Sequence, residues 1–528
     1  MKTKELFKFR SPEIRALHLT WIAFFLCFYT WFNMAPLATT IVKSVGWLTV
    51  EQIKLLAICN VALTIPARVF IGMAMDKWGP RRVFSIMMIV MTLPGFVFAF
   101  GESFAQLLIS RLILGCIGAG FVVGIHMTTL WFKPKDIGFA GGFYAGWGNF
   151  GSAAAAMTLP SIAFIFFGGE AGWRYAVASN CIFLLLYGIY YWFAITDGPI
   201  GTVFRKPRKV AAMEVSSWSD MIKLILWTIP MTGVLAVLVW KIQRTGFLGR
   251  IGTITAYGVV AAGVIYQALQ VLKINLPILR QGVPKDDLYD FNSVGALNTT
   301  YVANFGAGLA VVSMLPAFFE STFTLSPAAA GLIASSFAFV NLFARPLGGV
   351  ISDRMKSRKG VMVLYMLGTA VGFFLMGLIS PAWPIPLAII ITVLCSCFVQ
   401  GAGGATFAII PLIKRRLTGQ ISGMVGAYGN VGAVIYLTVY SFVDTRTFFF
   451  VVASGAFISF LFCWRYLKEP EGAFGREYHL SSVDREIEGE ALLHDLLPAL
   501  DKLNQEETAD RNDPVKKEQV KMEVGSNE

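Results

Sequence analysis

The sequence predicts an all-α polytopic membrane protein with two six-helix halves and a hydrophobic insertion between them. Of its 528 residues, 56% are hydrophobic and 14% are charged. The apolar residues gather in runs of about 20, the length that crosses a bilayer as a helix. One charged motif also occurs once in each half. This composition is typical of membrane-spanning proteins.

The apolar runs predict the order of the units along the chain. The first run continues for about 25 residues, longer than a signal-peptide core, so we expect a retained span. The predicted units are a first bundle over 1–200, a linker with two extra hydrophobic segments over 201–290, a second bundle over 291–468 and an acidic tail over 469–528. The twelve bundle runs lie near 17–42, 51–75, 83–101, 104–130, 137–167, 174–195, 294–320, 327–352, 360–380, 384–413, 420–442 and 447–467.

Basic residues predict the orientation. Basic residues form clusters in the loops on one side of the predicted spans. The loops on the opposite side hold only scattered cations such as Lys43, Arg174 and Arg446. Because short cytoplasmic loops carry an excess of Lys and Arg, we expect both termini on the cytoplasmic side of a cell membrane. The clusters are Lys77/Arg81/Arg82, Lys133/Lys135, Arg205/Lys206/Arg208/Lys209, Arg354/Lys356/Arg358/Lys359 and Lys414/Arg415/Arg416.

The central insertion allows two interpretations. Its apolar segments lie near 222–242 and 251–272. Two crossings would return the chain to the cytoplasm, but Lys241, Arg244 and Arg250 would then lie on the outer face, which disfavours a simple hairpin. A surface-lying or re-entrant pair is the alternative.

Charge and cysteine content exclude several classes of function. The net charge of the whole chain is +12. Because residues 468–528 hold 16 acidic and 8 basic residues, the basic excess lies in the membrane part. Cations in short loops usually set orientation, so we expect no nucleic-acid partner. Seven cysteines without CxxC spacing predict neither disulfides nor a zinc site. No nucleophile–base or metal constellation is evident, so we expect no enzyme activity, cofactor or metal.

A buried arginine occurs at matching places in the two halves. Arg68 precedes Asp76 by eight residues, and Arg345 precedes Asp353 by the same interval. Each arginine then lies about 12 Å inside its aspartate. Deep arginines are costly, and we find no acidic residue at comparable depth in any run. A planar guanidinium suits a small planar oxyanion, which predicts that the missing counter-ion is the ligand.

A second repeat places an asparagine within a glycine stripe. Asn149 and Asn430 occupy equivalent positions in GGFYAGWGNFGSAAAA and GMVGAYGNVGAVIY. Such stripes usually mean close helix packing, but the paired amides favour a path along which a small ligand approaches the backbone. The candidate glycines are Gly142, Gly146, Gly148, Gly151, Gly426, Gly429 and Gly432.

Two loops resemble those of the major facilitator superfamily. Residues 72–82 read GMAMDKWGPRR and residues 348–360 read GGVISDRMKSRKG, similar to the cytoplasmic loops after helices 2 and 8 in that superfamily. The second copy departs from the pattern at Lys356 and Ser357. The resemblance implies a major facilitator fold. Its candidate gating residues are Asp76, Arg81, Arg82, Asp353 and Arg354.

The glycine–asparagine stripes closely resemble the paired signature sequences of the nitrate/nitrite porter family. The resemblance covers roughly 17–467 and omits the insertion and the tail. It implies secondary transport of nitrate or nitrite by alternating access, without a cofactor and as a monomer. The positions that match the family's substrate site are Arg68, Arg345, Tyr301, Phe305, Phe121, Asn149 and Asn430.

Several alternatives stay open at this point. Transport by nitrate/nitrite exchange and by proton symport both fit the sequence. His126 could serve proton coupling or be a packing residue. Arg111 could serve proton coupling or anchor the end of its span. The substrate could be another small anion, or the chain could be a nitrate receptor. The acidic tail, with a short amphipathic pattern near 487–500, could dock a regulatory partner.

Overall fold

Helices account for every regular element in the part of the chain that the structure describes. The computed structural model describes residues 6, 9–132, 134–169, 171–199, 212–414, 417–470, 481–483 and 485–486. Within those residues, fourteen helical segments are long and apolar enough to cross a membrane. The predicted amphipathic tail segment near 487–500 lies outside the described residues.

The predicted spans are observed with small shifts at their ends. The first half contains α1 (Pro12–Val45), α2 (Val50–Arg68), α3 (Pro80–Phe100), α4 (Phe104–Thr128), α5 (Phe139–Phe166) and α6 (Gly172–Ala194). The insertion contains α7 (Trp218–Arg244) and α8 (Arg250–Gln281). The second half contains α9 (Lys285–Phe323), α10 (Pro327–Ser352), α11 (Arg358–Gly377), α12 (Ile385–Ile413), α13 (Thr418–Tyr440) and α14 (Thr445–Tyr466).

Local capping chemistry begins several of these helices. Thr49 and Gln52 form a reciprocal capping box at the start of α2, and Ser103 and Gln106 do the same at α4. Such pairs satisfy the amide groups that a helix N-terminus leaves free. Proline stands in the first turn of α3, where it removes no helical hydrogen bond. Short loops between capped helices then force neighbours to run antiparallel.

The two halves meet along two helix pairs. In the interface, α5 packs against α10 and α2 packs against α13. At the end of the bundle opposite the basic loops, Glu320 accepts a hydrogen bond from Thr39 at 2.6 Å and pairs with Lys43 at 3.5 Å. Nearby, Lys54 donates to the carbonyl of Tyr440 at 3.2 Å. These contacts join the halves at that end.

The helices of the insertion run alongside the second half. Along α7, the Trp227 carbonyl accepts a hydrogen bond from Tyr428 of α13, and Lys241 donates to Ser441 at 2.5 Å beyond the end of α13. The Lys241 ammonium also lies 3.5 Å from the centre of the Phe442 ring. Contacts at two heights along α13 favour a transbilayer hairpin. The aromatic ring beside Lys241 explains how the end of α7 accommodates a cation.

The described start of the tail returns to the basic end of the bundle. Ser481 donates to Asp287 at 2.6 Å, and the buried Lys414 pairs with the same carboxylate at 2.5 Å. The amide of Ser482 donates to Asp286 at 2.7 Å. The tail is therefore attached where α9 begins and α12 ends.

The hairpin can be tested by labelling with a membrane-impermeant maleimide. We expect Thr245→Cys, in the α7–α8 loop, to react in intact cells, because that loop would lie on the outer face. Gln281→Cys, at the other end of α8, should react only after permeabilisation. Both native residues are exposed. The seven native cysteines are buried or half-buried, so the unsubstituted protein is the control. Equal labelling of both sites in intact cells would contradict the hairpin.

Candidate functional site

Each candidate arginine follows an interruption of its helix. The α2 span breaks at Leu63, and the helix after the break extends past the end of the span, over Thr64–Trp78. The α10 span breaks at Val340, and the helix after that break extends over Asn341–Arg354. Arg68 and Arg345 each stand five residues beyond the break. The repeat in the sequence is thus a repeat in structure, and it brings one arginine from each half to the interface.

Both guanidinium groups are buried without an acidic partner. Arg68 is 7% exposed and Arg345 is 3% exposed. Among the described side chains neither arginine forms an ion pair, and Nε of Arg68 and Nη1 of Arg345 have no hydrogen-bond partner. Burying a guanidinium without a counter-ion is unfavourable, so a bound anion would stabilise this arrangement.

The predicted aromatic residues surround this pair. The guanidinium carbon of Arg68 lies 5.4 Å from the ring centre of Phe121, and that of Arg345 lies 5.3 Å from the ring centre of Phe305. Tyr301 stacks on Phe305 with ring centres 4.9 Å apart, and its hydroxyl accepts a hydrogen bond from Arg345 at 3.1 Å. A π-helical turn over Val302–Gly306 follows Tyr301, an irregularity common at functional sites.

Phe407 was missed by sequence reasoning. Its ring centre lies 5.7 Å from that of Phe121 and 5.3 Å from that of Tyr301. A signal for it exists in the sequence, since GCIGAGF over 115–121 and GAGGATF over 401–407 end in the same aromatic. Phe121 and Phe407 are therefore the repeat-related pair that closes one side of the arginine site.

The signature glycines serve packing and also make room for site residues. A Cβ on Gly426 would lie 2.8 Å from Nη1 of Arg68, and one on Gly429 would lie 2.7 Å from the Tyr301 ring. Gly146 lies against the Asn341 carbonyl. The remaining signature glycines contact other helices: Gly142 with Pro346, Gly148 with Phe24, Gly151 with the Phe25 carbonyl and Gly432 with the Val302 carbonyl.

The two signature asparagines are buried in different surroundings. Asn430 donates to the Gly426 carbonyl at 3.3 Å, and its Oδ1 has no partner. Neither polar atom of the Asn149 side chain has a partner. Asn149 instead lines a cavity next to Phe305. The pair is thus related by sequence but not by contact.

At the basic end, two acids cap helices at equivalent places. Asp197 accepts a hydrogen bond from the Arg81 amide at 2.7 Å near the start of α3. Glu469 accepts from the Arg358 amide at 2.6 Å and the Lys359 amide at 2.9 Å at the start of α11. Sequence reasoning missed both acids, because each comes from the chain after the last helix of its half.

The structure gives a partial account of the candidate gating residues. Arg82 and Arg354 are exposed, and the guanidinium of Arg81 lies 5.9 Å from the Trp192 ring. The side chains of Asp76 and Asp353 lie outside what the structure describes. The capping acids show, however, that each gating loop is fixed to the end of its own half.

Arg111 does not belong to the arginine pair. It is fully buried within the first half, where it donates to Asn33 at 2.7 Å and lies 3.6 Å from the Phe98 ring centre. Asn33 in turn donates to Asn180 at 3.2 Å. His126 is half-buried in α4. Arg111 thus joins α1, α4 and α6 inside one half.

Comparison with known proteins agrees with this architecture. The chain matches the Major Facilitator Superfamily profile over residues 20–283 and 297–498. A crystal structure of D-xylose-proton symporter superposes with a TM-score of 0.60 at 15% identity, covering 86% of this chain and 98% of that one. The fold and the interfacial site therefore define a multi-pass membrane transporter of this superfamily and not an enzyme.

More similar relatives narrow the family. The nitrate/nitrite transporter NrtP of Picosynechococcus sp. is 43% identical over an alignment 517 residues long that covers 90% of this chain and 96% of that protein. NrtP of Nostoc punctiforme is also 43% identical, with the same coverage. High affinity nitrate transporter 2.5 of Arabidopsis thaliana is 28% identical over 82% of this chain and 75% of that protein. The chain belongs to the nitrate/nitrite transporter family of the major facilitator superfamily.

The helix caps can be tested by thermal unfolding in detergent. We expect Asp197→Asn and Glu469→Gln each to lower the free energy of unfolding by about 1 kcal/mol, because each removes a charged cap at a helix N-terminus. Asp444→Asn, at the cap of α14 on the opposite end of the bundle, is the matched control for a cap outside the gating loops. Unlike Asp444→Asn, the first two variants should also increase proteolysis of the loop that each acid holds. Unchanged proteolysis would contradict this role.

Proposed function

We propose that the chain is a secondary active transporter that moves nitrate and nitrite, and that Arg68 and Arg345 bind the anion between the two halves. The observation that carries this proposal is the pair of buried guanidinium groups without an acidic partner among the described residues. The names of the similar transporters support the same substrates.

The chemistry of the site favours a small planar oxyanion. A guanidinium presents its donors in one plane and matches oxygens that lie in a plane. Phe305, stacked on Tyr301, and Phe121 place ring faces near the two guanidinium groups, so they would confine a flat ligand. A tetrahedral anion fits such a slot less well.

Alternating access follows from where the halves touch. At one end they are joined through Glu320 and Lys54, and beside the arginines through the Phe121 and Phe407 rings. We propose that the halves rock about the anion, breaking one set of contacts at a time. In this scheme the glycine stripes and Asn430 line the path, and Asp76 and Asp353 with Arg81, Arg82 and Arg354 act at the basic end.

Energetics limit the mode of transport. Moving an anion into an inside-negative compartment costs about 2.3 kcal/mol per 100 mV for each charge. Among the described residues, no carboxylate contacts the arginine site to carry a cotransported proton. We therefore favour nitrate/nitrite exchange over proton symport.

Orientation and assembly are part of the same proposal. The basic ends of the helices would face the cytoplasm of a cell membrane, with both termini on that side. Both arginines belong to one chain, so a monomer would hold a complete site. A regulatory partner of the tail is consistent with the attachment of Ser481 near Asp287.

Anion flux in proteoliposomes tests the proposal. We expect nitrate uptake with trapped nitrite, and a decrease in transport efficiency of about thirtyfold or more in Arg68→Lys or Arg345→Lys, because losing one partner of a buried charge pair costs about 2 to 5 kcal/mol. Adding a pH gradient without trapped nitrite separates symport from exchange.

Competing anions supply the control for that experiment. Perchlorate, a tetrahedral anion of the same charge, should compete poorly with nitrate if the slot selects a planar oxyanion held by two arginines. Uptake that is indifferent to nitrate would refute the proposed substrate. Wild-type activity in both lysine variants would refute the proposed site.

Gly426→Ala tests the position of Arg68 without changing its charge. The added methyl group would displace the guanidinium, because a Cβ there lies 2.8 Å from Nη1. We expect transport efficiency to fall about tenfold, equivalent to roughly 1.4 kcal/mol. Gly423→Ala, on the same helix, has no atom within 4 Å of its new Cβ and is the matched control. Equal losses in both variants would contradict the contact with Arg68.

A further inference from the structure

A small cavity lies between the two halves, next to the aromatic stack of the arginine site. Residues of α1, α5, α9, α10 and α12 line it, and neither Arg68 nor Arg345 is among them. Phe305 belongs to both places, since it lies near Arg345 and also forms part of the cavity wall. The polar lining residues are Asn149, Ser152, Asn304, Asn341 and Gln400.

The cavity lies on one side of the arginine pair. On α9 its lining continues from Phe305 to Val312, about 10 Å toward the end that carries Glu320. On α10, which runs in the opposite direction, Asn341 precedes Arg345 by one turn. Both displacements point away from the basic loops. The cavity is therefore between the arginines and the end joined by Glu320, which we proposed to be the outer end.

The amides of the cavity are buried and lack partners. Asn149, Asn304 and Asn341 are 3%, 0% and 5% exposed. Both polar atoms of Asn149, both of Asn304 and Oδ1 of Asn341 make no hydrogen bond. Leaving so many buried polar atoms unpaired is unfavourable, so the cavity is built for a polar occupant.

Charge decides which occupant fits. No ionisable side chain stands among the described lining residues, so a cation would find no counter-ion there. The Arg345 guanidinium, whose carbon lies 5.3 Å from the ring centre of the lining residue Phe305, places a positive charge beside the cavity. Carboxamide N–H groups in a positive field donate to an anion, and neutral donors hold it more weakly than a guanidinium does.

We propose that this cavity is a second, weaker anion subsite, occupied by nitrate or nitrite on its way between the outer face and the arginine pair. The proposal rests on the function proposed above. Asn304 and Gln400 bind the waiting anion through their amide N–H groups, and Phe305 separates it from Arg345. An anion at the subsite loses water before it reaches the arginines, so the subsite raises affinity on the outer side only.

The test is the Michaelis constant for nitrate measured separately from each face of the membrane. Asn304→Leu and Gln400→Met remove amide donors and keep the side chains similar in size. Each should raise the Michaelis constant about tenfold in intact cells, as expected for losing a hydrogen bond to an anion. The constant from the inner face, measured in inverted vesicles, should not change. Asn298→Leu is the matched control, because Asn298 is a buried α9 amide outside the cavity.

Calorimetry provides a measurement that does not require flux. Purified Arg345→Lys should retain weak nitrate binding, and adding Asn304→Leu should abolish it. An equal increase of the constant from both faces, an equal effect in Asn298→Leu, or no nitrate binding in Arg345→Lys would overturn the subsite. Absence of nitrate flux in the unsubstituted protein would instead refute the proposed transport function.

Discussion

The interface of this protein depends on two buried positive charges, one from each half, that have no acidic partner among the described residues. Removing an arginine from water is unfavourable, and placing a second one nearby adds repulsion. The described surroundings offset little of this: a tyrosine hydroxyl accepts from Arg345, and ring faces lie near both groups. A bound anion would supply the missing charge, so binding and the joining of the two halves would be one event.

Internal repetition explains how one chain builds such a site. Each arginine follows a helix break by five residues, and each gating loop is followed by a helix whose N-terminus an acid caps from the far end of the same half. Arg111, bonded within the first half, further fixes its helices to one another. The halves are thus stiff units, and the few contacts between them are free to change.

The length of the hydrophobic runs and the repeated motifs made most of the fold predictable from the sequence. They predicted the spans and the two arginines, because run length and spacing are local properties, whereas the aromatic partners were implied by the family resemblance. Asn304, Asn341 and Gln400 were not predicted, since they lie on three helices and only the packing brings them to one cavity. Phe407 could have been found by aligning the two Gly-rich segments of α4 and α12. Asn149 and Asn430 occupy equivalent positions in the sequence repeat but have different neighbours, so the repeat did not predict their surroundings.

The inserted helix α7 has a mechanical consequence. It packs against α13 of the second half and also against α2 of the first. A rotation of one half against the other must therefore shear at least one of these two contacts. With its hydrogen bonds from Tyr428 and Lys241, α7 is held more firmly to the second half. We therefore expect α7 to move with the second half and to slide over α2. This edge of the interface would then act as the axis of the rotation, and the opposite edge would open widest.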